Sequence, residues 1–122
     1  MPRVIHFEIL ADDPQRAVQF YQSTLGWQIH KWDGPQDYWL VTTGEKDQPG
    51  IDGAIMRRNN PQASVYNTVD VPALDEYVRK VEAAGGHIVL PKMAVAGIGW
   101  LAYCADTEGN IFGMMQNDPN AK

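Results

Sequence analysis

His6 and Glu8 stand two positions apart in Val4-Ile5-His6-Phe7-Glu8-Ile9-Leu10, a run whose alternation predicts a strand. A period of two puts Ile5, Phe7 and Ile9 on one face and His6, Glu8 and Leu10 on the other. An imidazole and a carboxylate sharing a face could shuttle a proton in an isomerase or lyase step, with the carboxylate raising the pKa of the imidazole. They could also supply two ligands to a divalent metal, which needs about three from the protein. The third reading is structural: both groups line a pocket and are satisfied by hydrogen bonds to neighbouring strands, as buried polar groups generally are.

Other groups with chemical potential are more scattered. Trp39, Tyr66, Trp100 and Tyr103 fall in strand-like runs. Any of them on a concave face could clamp a planar or cationic ligand, with cation-π contacts worth about 0.5 to 2 kcal/mol each. Each taken singly is an ordinary core or subunit contact. Cys104, the only cysteine, has no neighbour that would lower its pKa and reads as a buried, inert thiol.

The elements that must position these groups follow one plan written twice. Asp12-Asp13-Pro14 precedes a helical stretch that ends at Leu25-Gly26, and Asp70-Val71-Pro72 precedes another that ends at Gly85-Gly86. Before each Asp lies an apolar run, and after each Gly lie about three short strands, so each half reads strand, helix, strand, strand, strand. Asp13 as N-cap and Pro14 at the first helical position start the first helix, and Ala17, Val18, Tyr21 and Leu25 recur at helical spacing beneath Ile5, Phe7 and Ile9. Strands are expected at 27–32, 38–42 and 53–57. In the second half a strand over 64–69 leads to the Leu74, Tyr77, Val78, Val81 stripe of an amphipathic helix. Strands over 87–95, 100–105 and 111–116 follow, the last two joined by the Asp106-Thr107-Glu108-Gly109-Asn110 turn. The aspartates read as helix caps, and Asn59-Asn60-Pro61-Gln62 is the expected junction. His30 and His87 occupy unmatched places in the two halves and read as surface or strand-edge residues.

The 122 residues suit one domain, 1–122, with module one about 1–58 and module two about 63–117. The net charge of -5 and the scattered Lys and Arg argue against a nucleic-acid surface. No run approaches membrane-spanning length, and one cysteine with no apolar leader near Met1 points to a reducing cytoplasm.

Asp12-Asp13-Pro14, Phe20-Tyr21, Leu25-Gly26-Trp27 and Asp106-Thr107-Glu108-Gly109-Asn110 occur in the order and at the separation that resemble the vicinal oxygen chelate superfamily of glyoxalases, bleomycin-resistance proteins and extradiol dioxygenases. The resemblance covers nearly the whole chain. It implies an α+β fold in which two paired βαβββ modules form a curved, partly closed barrel around a cavity, and a homodimer. It also implies metal positions on the first and fourth strands of each module. His6 stands at the first of these. Ser64 stands at its counterpart, six residues before Asp70, and Gly113 stands where a glutamate usually follows the Asp-x-x-Gly-Asn turn by three residues.

Ser64 is a poor ligand at neutral pH and Gly113 has no side chain, so no metal and no other cofactor is expected. The expected function is metal-independent binding of a small organic ligand in the inter-module cavity, lined by His6, Glu8, Ser64, Tyr66 and Gly113. Tyr66 enters by parity with Ser64, and Gly113 because a missing glutamate side chain leaves room. His6 and Glu8 are the candidate catalytic residues. The alternative is a metal-dependent lyase, of the lactoylglutathione lyase kind, or a dioxygenase, with a displaced divalent-metal site of His6, Glu8 and either Asp52 or Glu108.

Overall fold

The order of elements in the computed structural model, which describes residues 1–122, is β1 (Val4–Ala11), α1 (Pro14–Leu25), β2 (Gln28–Lys31), β3 (Tyr38–Thr42), β4 (Gly53–Arg57), β5 (Val65–Asp70), α2 (Leu74–Ala83), β6 (His87–Val95), β7 (Gly99–Ala105) and β8 (Ile111–Asn117). This is the α+β class, with two βαβββ runs. No helix is long and apolar enough to cross a membrane.

The chain divides into two compact units, one of His6–Tyr66 and the other of Met1–Ile5 with Asn67–Lys122. The division falls inside β1 and β5 rather than at the 59–62 turn, for reasons of hydrogen bonding. Asp70 N–H donates to the Arg3 carbonyl at 3.0 Å and Arg3 N–H to Asp70 Oδ1 at 2.9 Å, which ties the chain's first residues to the end of β5. Leu10 N–H donates to the Ser64 carbonyl at 2.9 Å, which ties the start of β5 to the end of β1.

In the His6–Tyr66 unit the strands lie in the order β2-β3-β4-β1, antiparallel except for β4 and β1. Phe7 pairs with Gly53 and Gly53 with Val41; Ile9 pairs with Ile55 and Ile55 with Trp39. These rows make the apolar face expected of β1. Ala17, Val18 and Tyr21 of α1 cover it together with Trp27 and Ile29, and Ile55 and Val41 are almost wholly enclosed. Ile5, Phe20 and Leu25 stay largely exposed. Trp39 is therefore core beneath a helix and not a ligand clamp. Gly53 is a close approach: a Cβ there would stand 2.4 Å from the Phe7 carbonyl oxygen and 2.5 Å from its ring.

Local sequence sets the limits of α1. Asp13 accepts a hydrogen bond from Arg16 N–H at 3.2 Å, and Pro14 follows at a position whose missing N–H costs nothing. At the other end Gly26, with φ of 71°, donates its N–H to the Gln22 carbonyl at 3.2 Å, the left-handed stop that glycine adopts most cheaply.

The other unit orders its strands β5-β8-β7-β6, with β5 and β8 parallel. Leu74, Tyr77, Val78 and Val81 of α2 pack on Ala102, Cys104, Met114 and Trp100. Trp100 also belongs under its helix, where its Nε1–H donates to Asp118 Oδ2 at 3.0 Å. Cys104 is buried, and burial pushes its thiol up, as expected of an inert thiol.

Only Asp13 of the three aspartates is a cap. Asp12 pairs instead with Arg58 Nε at 2.9 Å, and Asp70 holds Arg3. The N-cap of α2 is Ala73, with no side-chain bond. Gln116 Oε1 from the far end of the unit satisfies Leu74 N–H at 2.8 Å, and Asp75 and Glu76 place negative charge in the first turn, where the helix dipole favours it. A cap delivered from β8 leaves no local sequence signal.

Candidate functional site

The face of the His6–Tyr66 sheet away from α1 carries Glu8 of β1, Ala54 of β4, Leu40 of β3 and His30 of β2 in one row, since Glu8 pairs with Ala54, Ala54 with Leu40 and Leu40 with His30. The next row holds Leu10, Met56 and Tyr38. A row between strands on the same face brings side chains from three strands within reach of one another.

Tyr38 uses that reach. Its hydroxyl donates to Glu8 Oε2 at 2.6 Å and lies 2.7 Å from His6 Nε2, so it stands between the two residues that share the β1 face. The His6 and Tyr38 rings are nearly parallel, at 15° and 6.3 Å between centroids, and Trp32 meets the Tyr38 ring edge-on at 6.0 Å. Glu8 is buried, 5% exposed, and no buried side-chain nitrogen or oxygen lacks a hydrogen bond. The structural expectation for the pair, satisfaction by a neighbouring strand, is met through Tyr38, a residue that strand periodicity did not single out. Its parity with Leu40 and Thr42, opposite to Trp39 and Val41, was the available signal. Parity names a face without naming a neighbour.

Burial pulls the His6 pKa below its ordinary value, and the nearby carboxylates of Glu8 and Asp52 offset only part of this. Glu8 does raise it, as expected, but loss of hydration outweighs that attraction and the net direction is down. The sign of the linkage follows. A His whose folded pKa is lowered binds fewer protons than the unfolded chain below about pH 6.5, so its contribution to stability is present above that pH and is lost as pH falls toward the folded pKa. Denaturant midpoints measured from pH 7.5 to 5 should fall more steeply in the wild type than in His6→Gln, and equal slopes would contradict the burial argument.

Tyr66 is buried, donates its hydroxyl to Asn59 Oδ1 at 2.8 Å, and has its pKa raised by burial first and by Glu8 second. It therefore senses the same carboxylate as His6. Ser64 lies exposed just before β5, where its carbonyl receives Leu10 N–H. His6 and Glu8 are joined through Tyr38, Tyr66 feels the Glu8 charge while its hydroxyl is held by Asn59, and Ser64 is exposed.

Gly113 belongs to the other unit, in β8 opposite Thr68 of β5 and Tyr103 of β7. A Cβ there would lie 2.9 Å from Thr68 Oγ1, 3.4 Å from Tyr103 Cε1 and 3.6 Å from Leu101 Cδ1. The Cβ position is already crowded by Thr68 and touched by Tyr103 and Leu101, so a side chain at 113 would have to push Thr68 aside.

The donors around His6 do not fit a metal. One shared by His6 and Glu8 would have to displace the Tyr38 hydroxyl from between Nε2 and Oε2. Asp52 Oδ1 is engaged by Thr43 N–H at 2.8 Å and Thr43 Oγ1 at 3.3 Å, and Glu108 sits exposed in the 106–110 turn, where its N–H donates to Asp106. No group of three or more His, Cys, Asp or Glu side chains is placed to hold a metal ion. His30 and His87 are both exposed, on β2 and β6, the outermost strands of their sheets. Two surface recesses lie elsewhere. One is lined by the 43–52 loop and the other by residues around Met1, Asp70, Tyr77 and Gln116, and neither includes His6 or Glu8.

Residues 3–44 match the family described as bleomycin resistance protein-like N-terminal. A putative glyoxylase, CFP32, from Mycobacterium tuberculosis is 26% identical over 114 residues, which cover 92% of this chain and 43% of that protein. The chain thus spans less than half the length of the curated relatives it matches. Among solved structures, methylmalonyl-CoA epimerase from Mycobacterium tuberculosis superposes with a TM-score of 0.67 at 15% identity, covering 94% of this chain and 87% of that one. The Streptomyces coelicolor epimerase with 2-nitronate-propionyl-CoA gives 0.68 at 13% identity, covering 98% and 97%. At these identities the structural likeness establishes the fold.

Proposed function

For this chain, a member of the vicinal oxygen chelate superfamily, we propose metal-independent binding of a small organic ligand at the sheet face that carries His6, Tyr38 and Glu8. The observation that carries this reading is the Tyr38 hydroxyl, which joins Nε2 of His6 to Oε2 of Glu8 where a shared metal would otherwise stand. Tyr66, coupled to the same carboxylate, is assigned to the same site. The aromatic and hydrogen-bonding groups here can orient a ligand by stacking and by a small number of placed polar contacts. Solved neighbours with this fold have been captured with acyl-CoA compounds, which makes CoA thioesters the first ligands to test.

The test is calorimetry on protein stripped of metal with EDTA, titrated with short acyl-CoA thioesters and with small aromatic compounds. Saturable binding without metal is expected, weakened several-fold in His6→Ala. Stoichiometric zinc, nickel, manganese or iron in the purified protein, lost in His6→Ala and required for binding or turnover, would replace this reading by the metal-dependent lyase or dioxygenase. The glyoxylase name of the curated relative gives that alternative its interest.

A further inference from the structure

We infer that Tyr38 is a positioning residue that holds neutral His6 in its Nε2–H tautomer, so that the Nδ1 lone pair is presented to the ligand and selects a molecule with an O–H or N–H donor at that end. The inference rests on the binding reading above for the ligand class alone. The tautomer itself follows from counting protons.

A tyrosine hydroxyl has one proton and a carboxylate has none. At 2.6 Å the Tyr38 to Glu8 contact has the length of a charge-assisted O–H···O bond, in which the proton lies toward the carboxylate acceptor. The Tyr38 oxygen can then only accept from His6 Nε2, 2.7 Å away, and Nε2 must carry the hydrogen. A neutral imidazole has one N–H, so Nδ1 is left as an acceptor. No buried side-chain nitrogen lacks a partner and the His6 hydrogen bond runs through Nε2, so Nδ1 is not wholly enclosed and is the ring nitrogen left for a ligand.

The frame that holds this arrangement is the paired strands β1, β4 and β3. His6 and Glu8 project from one strand, while Tyr38 comes from β3 across β4, where the row beside Glu8 is occupied by Ala54, whose methyl group leaves a Tyr side chain room to cross. The near-parallel stacking of the His6 and Tyr38 rings restrains the imidazole further. The charged groups that act on His6 are Glu8 and Asp52, both acidic, so an anionic group approaching Nδ1 meets repulsion and has no proton to give. A neutral or cationic donor meets neither obstacle.

The experiment is nitrogen-15 NMR of histidine-labelled, metal-free protein at pH 7.5, using long-range couplings that distinguish protonated from bare ring nitrogens. His6 should show a protonated Nε2 and a bare Nδ1 before any ligand is added. Tyr38→Phe should show a mixture of tautomers. Glu8→Gln should also show a mixture, because an amide can offer Tyr38 either a donor or an acceptor, and this variant carries the test if Tyr38→Phe does not fold. With phenol and benzoate as probes at equal concentration, phenol should shift Nδ1 and benzoate should leave it in place. A protonated Nδ1 in the wild type, an unchanged tautomer in folded Tyr38→Phe, or a response to benzoate that equals or exceeds the response to phenol would overturn the inference. The tautomer is read without ligand, so it stands or fails separately from metal-independent binding.

Discussion

Gly113→Glu is expected to destabilise the protein by about 2 to 4 kcal/mol and to add no metal affinity. Glutamate is the residue that the family resemblance of the sequence implies there, so the substitution resembles a restoration. The local geometry makes it an intrusion. The new Cβ would stand 2.9 Å from Thr68 Oγ1, on a β-branched side chain with little rotameric freedom, and 3.4 Å from the Tyr103 ring. Both neighbours are buried, as is Gly113 itself, so they cannot yield toward solvent, and the added carboxylate must also be desolvated. Urea denaturation of wild type, Gly113→Ala and Gly113→Glu would separate the steric cost from the charge, with alanine expected to account for a substantial part. Wild-type stability in Gly113→Glu, or tight zinc or manganese binding acquired by it, would refute the packing argument and reopen a metal site.

Tyr38→Phe is expected to cost about 2 kcal/mol of stability, in the range for removing one hydrogen bond to a buried charged group. The ring and its contacts with Trp32 remain, so packing is nearly unchanged and the loss reports the hydroxyl. Glu8 and His6 both lose a partner, and with them the link between β3 and β1. A double-mutant cycle with Glu8→Gln isolates that link. The two substitutions should be less than additive because Tyr38→Phe removes, and Glu8→Gln strips the charge from, the same bond, whereas strict additivity would show that Tyr38 and Glu8 act independently. Ligand affinity, measured by the same calorimetry as for His6→Ala, should fall in Tyr38→Phe wherever stability still permits folding.

Much of the architecture was legible because it is written in short-range periodicities. The alternation from Val4 to Leu10, the Asp13-Pro14 start and Gly26 stop of α1, and the Leu74, Tyr77, Val78, Val81 stripe each declare an element through residues fewer than about fifteen positions apart. The cap of α2 was not legible, since Gln116 supplies it from 42 residues away. Trp39 and Trp100 were ambiguous for a related reason: alternation assigns a strand residue to one of two faces, and only the position of the helix says which face is core.

The same boundary runs through the site. The sequence by itself determined that His6 and Glu8 share a strand face, because a β-strand repeats every two residues whatever surrounds it. It also determined that Ser64 and Gly113 cannot serve as ordinary metal ligands, because one is a neutral hydroxyl and the other has no side chain. Only the tertiary structure decided that Tyr38 joins the pair, that the His6 pKa falls instead of rising, and that the Cβ position at Gly113 is crowded. The physical reason is common to all three. Register across β4, the extent of dehydration and the volume left by a missing side chain are each sums over residues distant in the chain, and no local pattern carries such a sum.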